Sequence, residues 1–188
     1  MATETDLYTI GHSTRGIEEL LDLLGENRVQ LLVDVRRFPV SRRYPHFTAA
    51  ALAESLAAAR IAYQHERDLG GHREPRPDSP NTALRAAAFR GYADHMATPA
   101  FRAALARLEA RAAAERAAFM CAEADPRHCH RQLLADALVA RGARVLHILG
   151  PGRVEAHVLH PAARVTLDGA LIYGRPPNSL AYLHGRGT

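Results

Sequence analysis

Short runs of apolar residues alternate along the chain with segments in which apolar residues recur every three or four positions. The runs predict buried strands, and the longer spacing predicts helices that bury one face. The predicted strands are Leu7–Gly11, Leu31–Val35, Ile61–His65, Ala117–Cys121 and Arg144–Leu149. The predicted helices are Ile17–Leu24, Thr48–Arg60, Phe89–Met96, Pro99–Ala114 and Gln132–Arg141.

Alternating strands and helices are typical of an α/β fold, and near-continuous apolar strands are typical of a parallel sheet covered on both faces. We therefore predict an open, mainly parallel, five-stranded Rossmann-like sheet with helices on both faces, in the order 3-2-1-4-5, within residues 1–150. Residues 151–188 are expected to form an appendage packed on the same domain. It comprises a hairpin that turns at Asp168-Gly169 and a loose tail rich in Pro and Gly.

Polar side chains follow several of these strands. In open α/β sheets, ligands bind at the carboxyl ends of the strands, where the winding of the chain reverses. With strands 1 and 4 adjacent, the loop after Gly11 is expected to face the loop after Cys121. A long loop, 66–81, is expected to be a lid or a mobile segment. The side chains predicted to rim the crevice are His12, Ser13, Asp34, Arg36, Cys121 and Glu123.

The composition restricts the chemistry. The chain has 188 residues, of which 47% are hydrophobic, which is enough for one domain with a full core. All 24 basic residues are Arg and none is Lys, so Schiff-base lysine chemistry and the Walker phosphate loop are excluded. The net charge of +4 is compatible with an anionic partner but does not require one.

The amino-terminal segment Met1–Asp6 is polar and acidic, without the basic and then apolar pattern of a signal peptide. No run reaches the roughly 18 apolar residues needed to span a bilayer, so no membrane partner is expected. Together with the presence of only two cysteines, this favours a cytoplasmic protein with free thiols.

Both cysteines lie in the segment Phe119–Arg131, between the fourth strand and the next helix. Cys121 is either a packing residue at the strand end or a nucleophilic thiolate. Cys121 and Arg127 have the Cys-x5-Arg spacing of phosphatase and rhodanese-like loops. Two carboxylates and a proline between them oppose that interpretation, because they repel an oxyanion and remove a backbone donor.

Cys129 is expected in the first turn of the helix, beside His130 and Arg131. The helix dipole and these cations favour its thiolate, whereas burial at the strand end disfavours the thiolate of Cys121. We therefore predict that iodoacetamide labels Cys129 several-fold faster than Cys121. The alternative is that Cys129 is a packing residue, and a disulfide between the two is not expected in a reducing compartment.

Metal or haem binding is a further alternative. The cysteines are more widely separated than in the usual zinc motifs, but haem or mononuclear iron needs only one axial Cys or His. The candidate ligands are Cys121, Cys129, His128, His130 and, across the crevice, His12.

Asp34 and Glu123 end or follow apolar strands, so each is expected to be partly buried and either ion-paired or chemically active. The candidate ion pairs are Asp34 with Arg36 and Glu123 with Arg131. Another segment interleaves arginines with aromatic residues, a pattern that either binds phosphates and bases or forms a solvated loop. It comprises Arg36, Arg37, Phe38, Arg42, Arg43, Tyr44, His46 and Phe47.

Three motifs together resemble the domain-of-unknown-function family numbered 488. They are Thr9-Ile10-Gly11-His12-Ser13, Val33-Asp34-Val35-Arg36 with Phe38-Pro39, and Cys121-Ala122-Glu123 through Pro126 to Cys129-His130-Arg131. The resemblance covers about Leu7–Ile148, extends to a tail at Glu155–Tyr173, and implies a compact α/β protein without naming an activity. Its shared polar positions fall here on His12, Ser13, Asp34, Arg36, Cys121, Glu123, Cys129, His130 and Arg131.

We predict an enzyme that acts on an anionic substrate, namely a nucleotide, a nucleic-acid-derived group or a phosphorylated metabolite. Cys121 or Glu123 would be the nucleophile or base, with Asp34 as a further catalytic carboxylate. His12 or His130 would transfer protons. The predicted substrate-binding residues are Ser13, Arg36, Cys129 and Arg131. The alternatives are a metal- or haem-binding protein and a non-catalytic nucleic-acid-binding adaptor.

Overall fold

A computed structural model describes residues 6–166 and 169–174 of the chain. The strands of the main sheet are β1 (Asp6–Gly11), β2 (Leu31–Asp34), β3 (Ala62–His65), β4 (Ala117–Cys121), β5 (Arg144–Gly150) and β6 (Arg153–Ala156). The helices are α1 (Ile17–Glu26), α2 (Ala49–Ala58), α3 (Ala87–Met96), α4 (Pro99–Ala114) and α5 (Arg131–Ala140). A separate hairpin comprises β7 (Ala163–Val165) and β8 (Leu171–Tyr173).

The predicted fold class is confirmed, because the main sheet is mostly parallel and has helices on both faces. Leucines of α1 and α2 pack on one face of the sheet, as Leu20 and Leu52 do. Helices α3, α4 and α5 cover the other face through Tyr92, Phe101 and Leu134. The chain therefore winds first towards one edge and then towards the other.

The strand order differs from the prediction. It is β3-β2-β4-β1-β5-β6, so β4 lies between β2 and β1 rather than beyond β1. Both β1 and β4 are interior strands with apolar runs, and such runs do not determine which neighbours a strand has. The adjacency of β1 and β4 is nevertheless as expected, with Gly11 paired to Cys121.

The sheet has a sixth strand that was not predicted. β6 runs antiparallel to β5, and all four of its residues are exposed. Its sequence, Arg-Val-Glu-Ala, alternates over only four positions, and none of these side chains is buried, so only the pairing with β5 identifies the strand. The predicted carboxyl-terminal hairpin is present as β7 and β8, although residue 168 of its predicted turn lies outside the described residues.

The loop 66–81 is tied to α3 by a buried carboxylate. Asp94 accepts hydrogen bonds from the backbone N–H of Arg76 at 2.8 Å, from Ser79 Oγ at 2.7 Å and from Asn81 Nδ2 at 2.8 Å. These bonds tie the second half of the loop to α3, while Gly71 and His72 in its first half line the cavity described below. In the described part of the chain, no helix is long and apolar enough to cross a bilayer.

Candidate functional site

A cavity of about 400 Å³ opens at the carboxyl ends of β1, β2 and β4. The chain departs from β1 towards one face of the sheet and from β4 towards the other, which leaves the space between the two loops. Of the candidate site residues named from the sequence at the crevice or in the β4–α5 segment, seven line this cavity: His12, Arg36, Cys121, Glu123, His128, Cys129 and His130.

The loops after β1 and β4 are held together by backbone contacts. The N–H of His12 donates to the carbonyl of Cys121 at 3.0 Å, and the N–H of Ser13 donates to that of Ala122 at 2.8 Å. Gly11 is required here, because a Cβ at this position would lie 1.8 Å from the carbonyl oxygen of Glu123. Ser13 itself has a positive φ of 45° and its side chain does not line the cavity.

The two thiols meet at the inner end of the cavity. Cys121 Sγ lies 3.1 Å from Cys129 Sγ, and the side chains are only 2% and 7% exposed. Arg131 Nε donates to both sulfurs, at 3.1 Å to Cys121 and 3.3 Å to Cys129. A guanidinium that contacts two buried sulfurs favours a shared negative charge on them.

The two thiols differ in acidity. Burial raises the pKa of Cys121, but the hydrogen bond from Cys129 and the charge of Arg131 outweigh it and bring the pKa down to about 7. Burial raises the pKa of Cys129, and so do the hydrogen bond to Cys121 and its negative charge. Cys121 is therefore the thiol that ionises first.

This order is the reverse of the one expected from the sequence. Helix α5 begins at Arg131, and Cys129 lies two residues before it, with extended backbone dihedral angles of −142° and 171°. Cys129 Sγ still accepts from the backbone N–H of Arg131 at 3.4 Å, which lowers the pKa of Cys129, but burial and the neighbouring Cys121 outweigh this contact.

Arg131 is wholly buried, and its donors point into the protein. Nη1 donates to Thr9 Oγ1 at 3.0 Å, and Nη2 donates to the carbonyls of Glu123 and Ala124. The expected role as an anion clamp needs donors that face a ligand. In its observed position, Arg131 instead fixes the sulfurs and the loop after β4.

Asp34 and Arg36 form the predicted ion pair beneath the other side of the cavity. Asp34 is fully buried and accepts from Arg36 Nε at 2.9 Å and Nη2 at 2.6 Å, and from the Tyr63 hydroxyl at 2.9 Å. Burial and this carboxylate raise the pKa of Tyr63. Asp34 thus orients Arg36, which lines the cavity while Asp34 does not.

His12 lies beside Arg36 and is neutral near pH 7. Burial and the Arg36 charge lower the pKa of His12 to about 4. Its Nδ1–H donates to the carbonyl of Ser13 at 3.1 Å, so Nε2 carries the lone pair that faces Arg36 Nη1 at 3.4 Å. The ring packs on Phe47, with 4.2 Å between the ring centroids.

His130 turns one nitrogen towards the thiols. Its Nε2–H donates to the carbonyl of Val35 at 3.0 Å, which leaves Nδ1 as the lone-pair nitrogen, and burial lowers its pKa to about 4. One ring nitrogen of His130 and the sulfurs of Cys121 and Cys129 lie within 4.8 Å of one another. Two sulfurs and an imidazole are a donor set that suits zinc. Here, however, the guanidinium of Arg131 already supplies the positive charge beside the sulfurs.

A family model described as "Domain of unknown function DUF488" matches residues 16–138, which is more than half of the chain. The chain belongs to the DUF488 family. The match runs from just before α1 into α5 and therefore includes the thiol pair, whereas His12 and Ser13 of this DUF488 protein precede it. No curated protein and no solved structure matches the chain.

Glu123 of this DUF488 protein is exposed at the cavity rim, and the expected ion pair with Arg131 does not form. No side-chain partner contacts the Glu123 carboxylate within residues 6–166 and 169–174. The Cys-x5-Arg interpretation is wrong, because Arg127 is exposed outside the cavity and pairs with Asp125 at 2.7 Å. Hydrogen bonds from Arg127 lower the pKa of Asp125 to about 2.

The cavity mouth contains a cationic and aromatic surface that sequence reasoning had only partly identified. Phe38 is 54% exposed, and the guanidinium carbons of Arg37 and Arg67 lie 5.4 Å and 6.0 Å from its ring centroid. Arg37 belongs to the segment in which arginines are interleaved with aromatic residues, whereas Arg67 is distant from that segment in the sequence. Its approach to Phe38 depends on the fold of the 66–81 loop.

A chain of buried polar groups leads away from the thiols of this DUF488 protein. Thr9 Oγ1 lies 2.9 Å from His147 Nδ1, whose Nε2 lies 3.0 Å from His157 Nδ1. His157 Nε2 lies 2.7 Å from Asp136, and the Tyr173 hydroxyl donates to the same carboxylate at 2.8 Å. These Thr, His and Asp residues lie in β1, β5, α5 and the loop after β6, and nothing in the sequence indicates that they form this contact.

Proposed function

We propose that this DUF488 protein is an enzyme whose Cys121 thiolate attacks an electrophilic centre of an anionic substrate held in the cavity. The observation that supports this most strongly is the buried pair of sulfurs, 3.1 Å apart and both bonded to Arg131 Nε, at the end of an open cavity. A thiolate is a strong nucleophile near neutral pH when its pKa is lowered. The cytoplasm, where we expect the protein to act, keeps such thiols reduced.

The other cavity residues supply different functions in this proposal. Glu123 is the carboxylate at the rim and is the candidate to exchange protons with the substrate. His12 and His130, whose pKa values are lowered to about 4, are neutral near pH 7 and serve as hydrogen-bonding walls rather than acids. Arg36, whose guanidinium is held by Asp34 and by the carbonyl of Phe47, lines the cavity in which the anion would bind.

The charge around the cavity supports an anionic substrate. Arg36 and Arg37 line it, and Arg67 lies over the exposed Phe38 ring at its mouth. An aromatic ring flanked by guanidinium groups is suited to planar or anionic groups. A nucleotide, a nucleic-acid-derived group or a phosphorylated metabolite meets these requirements.

The test is a screen of anionic metabolites and short nucleic acids with three proteins: wild type, Cys121→Ser and Glu123→Gln. We expect turnover by wild type and a loss of about 10³-fold or more in kcat/KM with Cys121→Ser, because a serine hydroxyl is not ionised near pH 7. Glu123→Gln should lose about 10²-fold through proton transfer. Unchanged turnover by Cys121→Ser would contradict the proposal.

Metal or haem binding is the second candidate, supported by the convergence of the Cys121 and Cys129 sulfurs with a ring nitrogen of His130. Stoichiometric metal in the purified protein, or a Soret band, would favour it over the thiolate enzyme. An adaptor for nucleic acids is favoured only by the rim residues Arg37, Phe38 and Arg67. Salt-dependent binding of arbitrary oligonucleotides without turnover would support that function instead.

A further inference from the structure

We propose, on the basis of the proposed function, that Cys129 is a resolving thiol and that the substrate is an anionic low-molecular-weight disulfide. Cys121 would first form a mixed disulfide with the substrate, and Cys129 would then displace the bound half. The product on the protein is a Cys121–Cys129 disulfide.

The distance between the sulfurs supports this second step. A disulfide bond is about 2.05 Å long, and the sulfurs lie 3.1 Å apart, so the bond forms after a movement of about 1 Å. Cys121 ends β4, and Cys129 lies in the extended segment before α5. No side chain lies between the two sulfurs, since they share a direct hydrogen bond.

Arg131 provides a physical reason for the order of the two steps. While Cys121 is a thiolate, its charge and hydrogen bond keep Cys129 protonated. Once Cys121 is joined to a substrate sulfur, that charge is lost, and the same guanidinium nitrogen, 3.3 Å from Cys129 Sγ, favours the second thiolate. The resolving thiol is thus activated only after the first has reacted.

The cavity gives the substrate access to both sulfurs. Cys121 and Cys129 each line it, although both side chains are almost wholly buried from bulk solvent. The guanidinium groups of Arg36 and Arg37 border the same space. Carboxylate-bearing disulfides therefore fit this cavity better than neutral or cationic ones.

Atoms and electrons balance over the two steps. The Cys121 thiolate attacks one sulfur of the substrate RSSR, the S–S bond breaks, and RS⁻ leaves. Cys129 then loses its proton to RS⁻ and attacks Cys121 Sγ, and the second RS⁻ leaves and takes a proton from solvent. The protein pair is oxidised by two electrons and RSSR is reduced to two thiols. A cellular low-molecular-weight thiol is the reductant that restores the pair.

The experiment uses oxidised glutathione as the probe on the reduced full-length chain, after treatment with a metal chelator. Released glutathione is quantified, and acid-quenched protein is weighed intact without reductant. We expect wild type to release two equivalents and to lose the mass of two hydrogens. Cys129→Ser should stop at a stable glutathione adduct after one equivalent, and Cys121→Ser should form neither product.

A persistent adduct in wild type, equal to that in Cys129→Ser, would overturn the resolving role while leaving Cys121 as a nucleophile. An adduct that forms on Cys129 in Cys121→Ser as fast as on Cys121 in wild type would instead contradict the proposed function. Circular dichroism of each variant checks its fold. If a variant is unfolded, the wild-type time course decides, because the mixed disulfide must rise and then decay into the intramolecular bond.

Discussion

At the residue scale, the ionisation of Cys121 depends on two neighbours, Cys129 and Arg131. The hydrogen bond from one and the charge of the other bring the pKa of Cys121 to about 7, against the effect of burial. Stabilisation of an anion by groups that are themselves buried makes the thiolate sensitive to their exact identity.

Iodoacetamide should label Cys121 faster than Cys129 by at least about 10-fold at pH 8, because only Cys121 is largely ionised there. Its labelling rate should rise with pH around a midpoint near the pKa of about 7. Mass spectrometry of tryptic fragments measures both rates, since cleavage after Arg127 separates the cysteines. Faster labelling of Cys129 would restore the sequence-based order.

Replacing Arg131 with Met should raise the pKa of Cys121, because the guanidinium that stabilises the thiolate is lost. The midpoint of the alkylation profile then moves to higher pH. The free energy of unfolding should also fall by about 3 kcal/mol, since two buried sulfurs and Thr9 Oγ1 lose a charged donor. Alkylation profiles and urea denaturation measure the two effects.

The matched control is Arg127→Met, which removes an exposed arginine of the same segment. Arg127 pairs with Asp125 at the surface and does not line the cavity. The Arg127→Met substitution should leave both the midpoint of the Cys121 alkylation profile and the free energy of unfolding nearly unchanged. Equal effects of the two substitutions would contradict a specific role for Arg131.

The sequence indicated which residues gather at the site better than it indicated their individual roles. The relevant motifs follow strands whose carboxyl ends must meet, and that proximity is determined by topology. The direction of each side chain is not. Arg131 points inward to Thr9, Glu123 points outward, and burial together with the neighbouring Cys121 raises the pKa of Cys129.

At the element scale, the contact between β1 and β4 determines the geometry of the site. Gly11 pairs with Cys121, and its Cα faces the backbone of Glu123 so closely that no side chain fits. The register of these two strands therefore positions the thiol of Cys121. It also positions the loop after β4, whose carbonyls accept hydrogen bonds from Arg131.

Gly11→Ala should destabilise the fold by about 3 kcal/mol, because its Cβ would lie 1.8 Å from the Glu123 carbonyl oxygen and the loop after β4 must move. The rate at which iodoacetamide alkylates Cys121 should also fall, because the loop after β4 moves. Gly25→Ala is the control, since it lies in α1 with nothing within 4 Å of the added Cβ. That substitution should stabilise the helix by about 0.5–1 kcal/mol. Urea denaturation of both variants tests the difference.

Elements with a strong hydrophobic periodicity were predictable from the sequence. Elements defined only by hydrogen bonds to another strand were not. Helix α4 begins as predicted, with Thr98 Oγ1 accepting from the Phe101 N–H at 3.2 Å and Pro99 in the first position. β6 was missed because its four exposed residues bury no face, and only its hydrogen bonds to β5 make it a strand. The order of β1 and β4 likewise depends on long-range pairing that local patterns do not encode.

At the scale of the whole molecule, Tyr173 is the most deeply buried of the residues by which the carboxyl-terminal hairpin packs on the core, beside Ala163 and Leu171. Tyr173 is wholly buried among residues of the α3–α5 face, and its hydroxyl donates to Asp136 at 2.8 Å. Asn81 also accepts from the Tyr173 N–H at 2.9 Å, which connects the hairpin to the 66–81 loop. The hairpin therefore stabilises both α5 and that loop.

Tyr173→Phe should reduce the free energy of unfolding by about 1–2 kcal/mol, because the buried carboxylate of Asp136 loses a donor while the ring still fills its space. Tyr44→Phe is the control, since the Tyr44 hydroxyl has no hydrogen-bond partner in the described part of the chain. Thermal and urea denaturation compare them. A loss with Tyr44→Phe as large as with Tyr173→Phe would contradict this account.

The polar chain from Arg131 through Thr9, His147 and His157 to Asp136 is continuous, because each neighbouring pair of side chains lies within hydrogen-bond distance. Arg131 Nη1 donates to Thr9 Oγ1, and Thr9 Oγ1 in turn lies 2.9 Å from His147 Nδ1. Burial lowers the pKa of His147 to about 3, which keeps it neutral. The ring nitrogens of His147 are therefore a built-in magnetic-resonance reporter: their ¹⁵N chemical shifts should respond when the sulfurs bonded to Arg131 lose their charge, although no sulfur touches the ring.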